Sequence, residues 1–472
     1  MTSGREFVME NCPNRHPTLT FCLHTKLVRI LPRLRLAALT LFCSGLIFGQ
    51  QPRPGSPHLV IVSIDGLMPS TIRDADKLGL KIPNLREFRD KGAFAEGLRG
   101  VMPTVTYPSH TTMLTGRDPA DHGIIGNEMF DPQQRLNRAW YWYAEGIRMP
   151  TLWDAAKSAG LTTGGVYWPV TVGARIDFNF PEYRIPKTEE EMMLYRTIST
   201  PGLMAEFEKV SGPLALDEED KGRARMASFM IRTRRPNLML VHIFDLDHEQ
   251  HAYGPGSPES LRALEGDDAC LGMLRKEIAD AGLADSTRWL IVSDHGFLPV
   301  DKMFHPQAFL ASLGLSAAEG KPETWRVAAH SNGGSIAFVS KDPKDSQAQA
   351  LVRTTLERLQ KEGNWGIGQV LGRSELDKLK GYPHAFLAVS LGDNFTNGGN
   401  RSGPWVTPSE KTRGMHGYAP GPKALDATFI AFGPGIPAQK LPIGELKDIA
   451  KTAAALLGIS LPGAEGRNLL SR

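Results

Sequence analysis

The feature that most constrains this chain is a set of short, near-continuous apolar runs, rich in β-branched residues, that each end in an aspartate. His58-Leu-Val-Ile-Val-Ser-Ile64 leads into Asp65-Gly66, Leu238-Met-Leu-Val-His-Ile-Phe244 into Asp245-Leu-Asp247, and Trp289-Leu-Ile-Val-Ser293 into Asp294-His295-Gly296. A strand with one face in water alternates apolar and polar residues. A run without alternation suits a strand covered on both faces, as in a parallel sheet between helices. Ser335-Ile-Ala-Phe-Val339 and Ala427-Thr-Phe-Ile-Ala-Phe432 have the same character. Helical patterns lie between the runs, at 152–157, 261–281, 348–360 and 446–457. Strands alternating with helices predict an α/β fold with a largely parallel central sheet.

The 472 residues allow two or three domains, or one large α/β domain with insertions. The first 50 differ from the rest. They hold six of the Lys and Arg residues against two acids, and three of the four cysteines, Cys12, Cys22 and Cys43. Lys26, Arg29, Arg33 and Arg35 precede an apolar stretch at 36–48 and a small residue, Gly49. A basic segment, a short apolar core and a small residue form the pattern of a secretory signal. The stretch is short for a membrane span, so cleavage near Gly49 is expected over retention as an anchor. This assigns 1–50 to a signal peptide, 51–57 to a linker carrying Pro52, Pro54 and Pro57, and 58–472 to an exported body, periplasmic or secreted. No membrane partner is expected unless the signal is retained. The whole chain carries +3, so the body is close to neutral, which argues against a stable nucleic-acid partner. Its single thiol, Cys270, can form neither an internal disulfide nor a Cys-rich zinc site.

The chemistry is expected where the strands end, because sites in open α/β sheets form beyond the carboxyl ends of the strands. Asp247 and His251 are four apart, on one face of a helical turn. Asp294 and His295 are adjacent at a strand end, and His416 sits in a loop between Gly414 and Gly417. Carboxylates and imidazoles without thiolate suit catalytic zinc, with manganese or iron as alternatives. Asp245 is a rival to Asp247. The triplet Asp121-His122-Gly123 follows no strand and is given a structural loop role, and Asn332-Gly-Gly and Asn397-Gly-Gly are read as turns.

The candidate nucleophile lies in Met102-Pro-Thr-Val-Thr106-Tyr-Pro-Ser-His-Thr-Thr-Met-Leu-Thr-Gly116. Thr106 precedes a segment that can become helical, with Pro108 in its first turn. It could simply cap that helix. A hydroxyl there also lies at a positive helix end, where a phosphoryl group binds and a metal would favour its nucleophilic form. Trp153, Trp168, Tyr183 and Tyr195 could line a pocket, but each is expected in the core.

Taken in order, these motifs carry a family resemblance. Asp65-Gly66, Pro-Thr-Val-Thr106-Tyr-Pro-Ser-His, His122-Gly-Ile-Ile-Gly-Asn127, Asp247-x-x-x-His251-x-Tyr-Gly-Pro, Ser293-Asp-His-Gly296 and His416-Gly-Tyr418 together resemble the nucleotide pyrophosphatase/phosphodiesterase family of the alkaline phosphatase superfamily. The resemblance implies an alkaline-phosphatase-like α/β fold: a mostly parallel central sheet flanked by helices, with a small subdomain inserted within about 300–415. It implies two zinc ions, one held by Asp247, His251 and His416, the other by Asp65, Asp294, His295 and Thr106. Asn127 would donate to a phosphoryl oxygen, and Tyr107 would pack on a nucleobase or other leaving group. The implied reaction is hydrolysis of a phosphodiester or pyrophosphate bond, in nucleotides or related small diesters, through a phosphothreonine at Thr106.

Two rivals remain. A phosphomonoesterase of the same superfamily would add a cation beside the phosphate. No Lys or Arg stands next to Asn127 by motif, and Arg135 and Arg138 are the alternatives. A catalytically inactive binding protein would normally lack a ligand or the nucleophile, and here every matched position is filled. A sulfatase is disfavoured because Thr106-Tyr-Pro-Ser-His lacks the arginine of that nucleophile context.

Overall fold

The computed structural model describes residues 57–133, 135–136, 139–184, 186–214, 219–317 and 321–471. The signal assigned to 1–50, all but the last residue of the linker, and Arg138 lie outside them. Among the described residues no helix is long and apolar enough to cross a membrane.

The strand His58–Ile64 is buried at all seven positions. It runs parallel to Leu238–Ile243 on one side and to Thr287–Val292 on the other. Val60, Val62 and Ile64 point into one core with Met239, Val241, Ile243 and Ile291. Leu59 and Ile61 point into a second core with Leu238, Leu240, Leu290 and Val292. Two cores on two faces are the physical reason the runs do not alternate. Helices Pro83–Lys91, Glu219–Arg234 and Pro258–Asp280 contribute to the first core through residues such as Phe88, Met230 and Leu271. Helices Thr106–Thr115, Leu152–Ser158 and Asp448–Leu457 contribute to the second through Met113, Trp153 and Ile449. The full sheet has eight strands, in the order Gln439–Leu441, Ala93–Ala95, Phe429–Phe432, Thr287–Val292, His58–Ile64, Leu238–Ile243, Thr163–Val166, Phe178–Phe180.

Two of the apolar runs behave differently from the others. Phe429–Phe432 joins the central sheet but runs antiparallel to both neighbours. Ser335–Ser340 lies outside that sheet altogether. Gly333-Gly334 forms a two-residue turn that folds it back on Val327–Asn332, with Ser335 opposite Asn332, as glycine-rich two-residue loops do in hairpins. These strands, with Ile367–Gly372 and Leu387–Leu391, make a second four-stranded sheet. Helix Ser346–Glu362 packs on it through Val352 and Leu356, in a core with Phe309, Ile336, Phe338 and Val389. An apolar run specifies burial on both faces, not the sheet in which that burial occurs.

The central register positions the site. Ile64 is opposite Ile243 and Ser63 opposite Val292, so the three strand ends are level. Asp65, Asp294 and the helix Asp245–Tyr253 therefore emerge at one edge. The turn at Gly66 has φ +69°, and a Cβ there would lie 2.6 Å from the Phe297 ring and 2.8 Å from Gln250 Nε2. Gly66→Ala combines left-handed backbone strain with a ring clash. It should lower stability by about 1–3 kcal/mol, read as a fall in the denaturation midpoint of the purified protein.

Candidate active site

The strand edge gathers two overlapping groups of ligand-type side chains: Asp65, Asp294 and His295, and Asp247, His295 and His416. His295 Nε2 is 3.2 Å from Asp65 Oδ1 and 3.0 Å from Asp294 Oδ2. Asp247 Oδ1 is 3.5 Å from His251 Nε2 and 3.7 Å from His416 Nε2. Asp65 Oδ1, Asp294 Oδ2, His295 Nε2 and Asp247 Oδ1 are buried, and none makes a hydrogen bond of acceptable geometry. Buried polar atoms are normally paired because leaving them unpaired costs desolvation energy. Four such atoms facing one another fit divalent cations with oxygen and nitrogen ligands.

The histidines are oriented for that role. Nδ1 of His251 faces the Gly414 carbonyl at 3.0 Å, Nδ1 of His416 the Thr104 carbonyl at 3.0 Å, and Nδ1 of His295 the Gly296 carbonyl at 3.2 Å. A carbonyl only accepts, so Nδ1 carries the proton in each ring and Nε2 is turned toward the carboxylates. Burial, with the nearby Asp294 and Asp247 charges, pushes Asp65 well above the usual carboxylate range. Burial, with His295 and His251 close by, pushes His416 well below the usual histidine range. For His295, burial opposes the charge but the Asp294 carboxylate outweighs it, raising the group to about 9 without a cation. A metal ion there displaces a proton, so binding weakens as pH falls.

Thr106 is the first residue of the ten-residue helix, and the cap position is Val105, so its hydroxyl is not spent on capping. His110, one turn on, accepts or donates at Ser63 Oγ at 2.9 Å through Nε2, and its Nδ1 donates to the Thr106 carbonyl at 2.8 Å. This ties the helix to the central strand. The Tyr107 N–H donates to Asn127 Oδ1 at 2.9 Å, which leaves Asn127 Nδ2 as a donor beside Thr106's helix end.

Other candidates separate cleanly. Asp245 Oδ1 accepts from Arg223 Nη1 at 3.2 Å, and Oδ2 accepts from the Asp220 N–H at 3.1 Å, so it is engaged away from the cluster. His122 is buried in a loop role, with Nε2 3.0 Å from Thr112 Oγ1 and Nδ1 accepting from the Ile124 N–H at 3.2 Å. Trp153, Trp168 and Tyr195 are core residues, and Tyr183 is partly buried against the first core.

Tyr107 departs from the expectation of base packing. Its ring is 0% exposed, edge-on to Trp140 and Trp142 at 5.3 and 5.9 Å, and its hydroxyl donates to Glu182 Oε1 at 2.8 Å. The polar anchor and the covering indoles leave the ring no free face. The partly open aromatic surface beside it belongs to Trp140 and Trp142, stacked at 5.3 Å and 12°. His242 and Glu182 also escaped the sequence reading. His242 sits between Asp65 and Glu182, and burial is outweighed by those two hydrogen bonds, raising it to about 10. A histidine inside a doubly buried apolar strand was the available signal.

The inserted hairpin buttresses the His416 loop. A Cβ at Gly417 (φ +92°) would lie 2.1 Å from the Asn332 carbonyl oxygen, and one at Gly333 2.3 Å from that of His416. The two turns meet backbone to backbone.

The carboxylate–imidazole cluster thus lies at the sheet edge, beside the first turn of the helix that begins at Thr106. The sequence profile of the type I phosphodiesterase / nucleotide pyrophosphatase family matches residues 59–419, and the chain belongs to that family. Human ectonucleotide pyrophosphatase/phosphodiesterase family member 1 is 24% identical over 253 residues, covering 51% of this chain and 24% of its own. Venom phosphodiesterase 2 of Crotalus adamanteus is 24% identical over 403 residues, covering 80% of this chain and 42% of its own. The chain thus spans well under half the length of these relatives. Human ectonucleotide pyrophosphatase/phosphodiesterase 5 shares the fold, with a TM-score of 0.64 and 19% identity over 88% of this chain and 100% of that one. The murine counterpart, solved as an inactive variant in complex with AMP, has a TM-score of 0.62 and 18% identity over the same shares.

If the cluster holds zinc, His416→Ala should weaken one ion selectively, because this imidazole reaches the cluster from a loop far from the central strand ends. Elemental analysis after chelator challenge reads it; unchanged zinc content would remove His416 from the ligand set.

Proposed function

We propose that this chain is a metal-dependent hydrolase of phosphodiester or pyrophosphate bonds in nucleotides or related small diesters, acting through a phosphothreonine at Thr106. The observation that carries this reading is the convergence of four unpaired buried donor atoms on the edge where the Thr106 helix begins. Asp247, His251 and His416 would hold one zinc ion, and Asp65, Asp294, His295 and Thr106 the other. When bound, a zinc pair there would favour the nucleophilic form of the hydroxyl at neutral pH and would offset charge on the attacking and leaving oxygens.

The chain's own residues supply the rest. Thr106 Oγ attacks phosphorus in line: its O–H bond gives way to the Oγ–P bond, the bond to the leaving oxygen breaks, and the proton ends on that oxygen. Water then attacks the phosphothreonine from the vacated side, breaks the Oγ–P bond and returns the hydroxyl. Asn127 Nδ2 donates to a non-bridging oxygen, its amide held by the Tyr107 N–H. The positive end of the helix dipole lies at Thr106 and favours the phosphoryl group. Positioning and electrostatics dominate because phosphoryl transfer asks for little covalent help. Export through the segment before Gly49 belongs to the same proposal, as does a small-molecule substrate with no stable nucleic-acid partner.

A diester is favoured over a monoester on charge. A monoester dianion brings one more negative charge, and the residue placed at its oxygens is neutral Asn127. With purified zinc-loaded protein, kcat/KM should be higher for a p-nitrophenyl phosphodiester than for p-nitrophenyl phosphate. A tenfold preference for the monoester would move the chain to the phosphatase branch. Thr106→Ala should cut kcat on the order of 10³-fold or more, and Thr106→Ser should retain part of it. Near-native turnover by Thr106→Ala would rule out the covalent step.

A further inference from the structure

A continuous buried hydrogen-bond chain runs behind the site. Asp65 Oδ2 is 3.0 Å from His242 Nε2. His242 Nδ1 is 3.1 Å from Glu182 Oε2 and 3.1 Å from the Tyr167 carbonyl oxygen. Glu182 Oε1 accepts from the Tyr107 hydroxyl at 2.8 Å, and the Tyr107 N–H donates to Asn127 Oδ1 at 2.9 Å. Exposure is 3% at Asp65, 1% at His242, 9% at Glu182 and 0% at Tyr107. Every protein group facing the two His242 nitrogens is an acceptor, so both donate.

We propose that His242, Glu182 and Tyr107 are positioning residues that fix Asp65 as a one-oxygen metal ligand and lock it in register with the nucleophile and Asn127. His242 occupies Oδ2, which leaves only Oδ1, the oxygen without a hydrogen bond, for an ion. Glu182 holds the imidazole in place from behind. Tyr107 closes the chain: its hydroxyl anchors Glu182, its N–H anchors Asn127, and its peptide bond joins Thr106. The ligand, the nucleophile and the phosphoryl-oxygen donor are therefore held by one connected set of bonds. Outer partners of this kind orient ligands and commonly carry 10–100-fold in metal affinity. A buried O–H needs a partner, and Glu182 is the partner of the Tyr107 hydroxyl behind the two indole rings.

This rests on the two-zinc reading, so the test begins with zinc binding to the unsubstituted purified protein, measured by chelator competition. His242→Gln removes one of the two donors and the ring's charge. Tyr107→Phe removes only the hydroxyl and keeps the ring volume. His242→Gln should weaken the zinc assigned to Asp65 by about 10–100-fold, and Tyr107→Phe should weaken it less, in the same direction. In both, kcat should fall with KM for a p-nitrophenyl phosphodiester little changed. The rise in Tm that zinc produces should shrink, whereas a purely structural defect lowers the Tm of the chelated and zinc-loaded forms alike. Wild-type zinc affinity and an unchanged zinc-induced rise in Tm in Tyr107→Phe would overturn the relay, even if His242→Gln fails to fold. Failure of the unsubstituted protein to bind zinc would instead overturn the metal reading, and the relay with it.

Discussion

Charge buried at one sheet edge is the constraint on which the rest of this molecule depends. Three level strand ends bring Asp65 and Asp294 into an interior from which water is excluded, with Asp247 one helical turn away. Carboxylates in such a place are costly unless balanced. Asp294 is balanced within the protein: burial would raise its pKa, but His295, with His110 and His242 nearby, outweighs burial and holds it low. Asp65 has no such surplus: burial, and after it the Asp294 and Asp247 carboxylates, drive it up. A bound cation would relieve that imbalance, and the unpaired oxygens are the atoms that would face it.

The second sheet serves this edge. It stands apart from the parallel core and carries its own apolar interior, yet its Gly333-Gly334 turn meets the Gly417 turn with no room for a side chain on either. That contact sets the position of His416, whose imidazole lies flat on His295 at 3.6 Å between centroids. A late loop reaches an early cluster only because an intervening hairpin supports it. The glycines matter here for close approach of two backbones, which any Cβ would prevent.

Tyr107 shows how the same residue takes a different role once its surroundings are known. Next to a nucleophile, an aromatic side chain offers a stacking face. Covered by Trp140 and Trp142 and tethered to Glu182, it becomes a hinge pin between helix, strand and loop. The same network accounts for His242, a titratable ring in a strand that otherwise excludes polar groups. Its two nitrogens are both satisfied, so the cost of burying it is offset by carboxylates that need it.

What the sequence determined by itself was local. Unalternating runs set strands covered on both faces, and an aspartate after three of them marked the edge where the carboxylate–imidazole cluster gathers. The four-residue spacing of Asp247 and His251 set a shared helical face, and the Thr106 segment set a helix end. These follow from periodicity and strand ends, which need no knowledge of distant neighbours. Tertiary structure decided the rest: that Ser335–Ser340 left the central sheet, that Phe429–Phe432 entered it reversed, that Asp245 went to Arg223 and Asp247 to the cluster, and that Tyr107 was buried. Each of those outcomes turns on contacts between residues far apart in the chain, and neither composition nor spacing encodes which partner a buried group will meet.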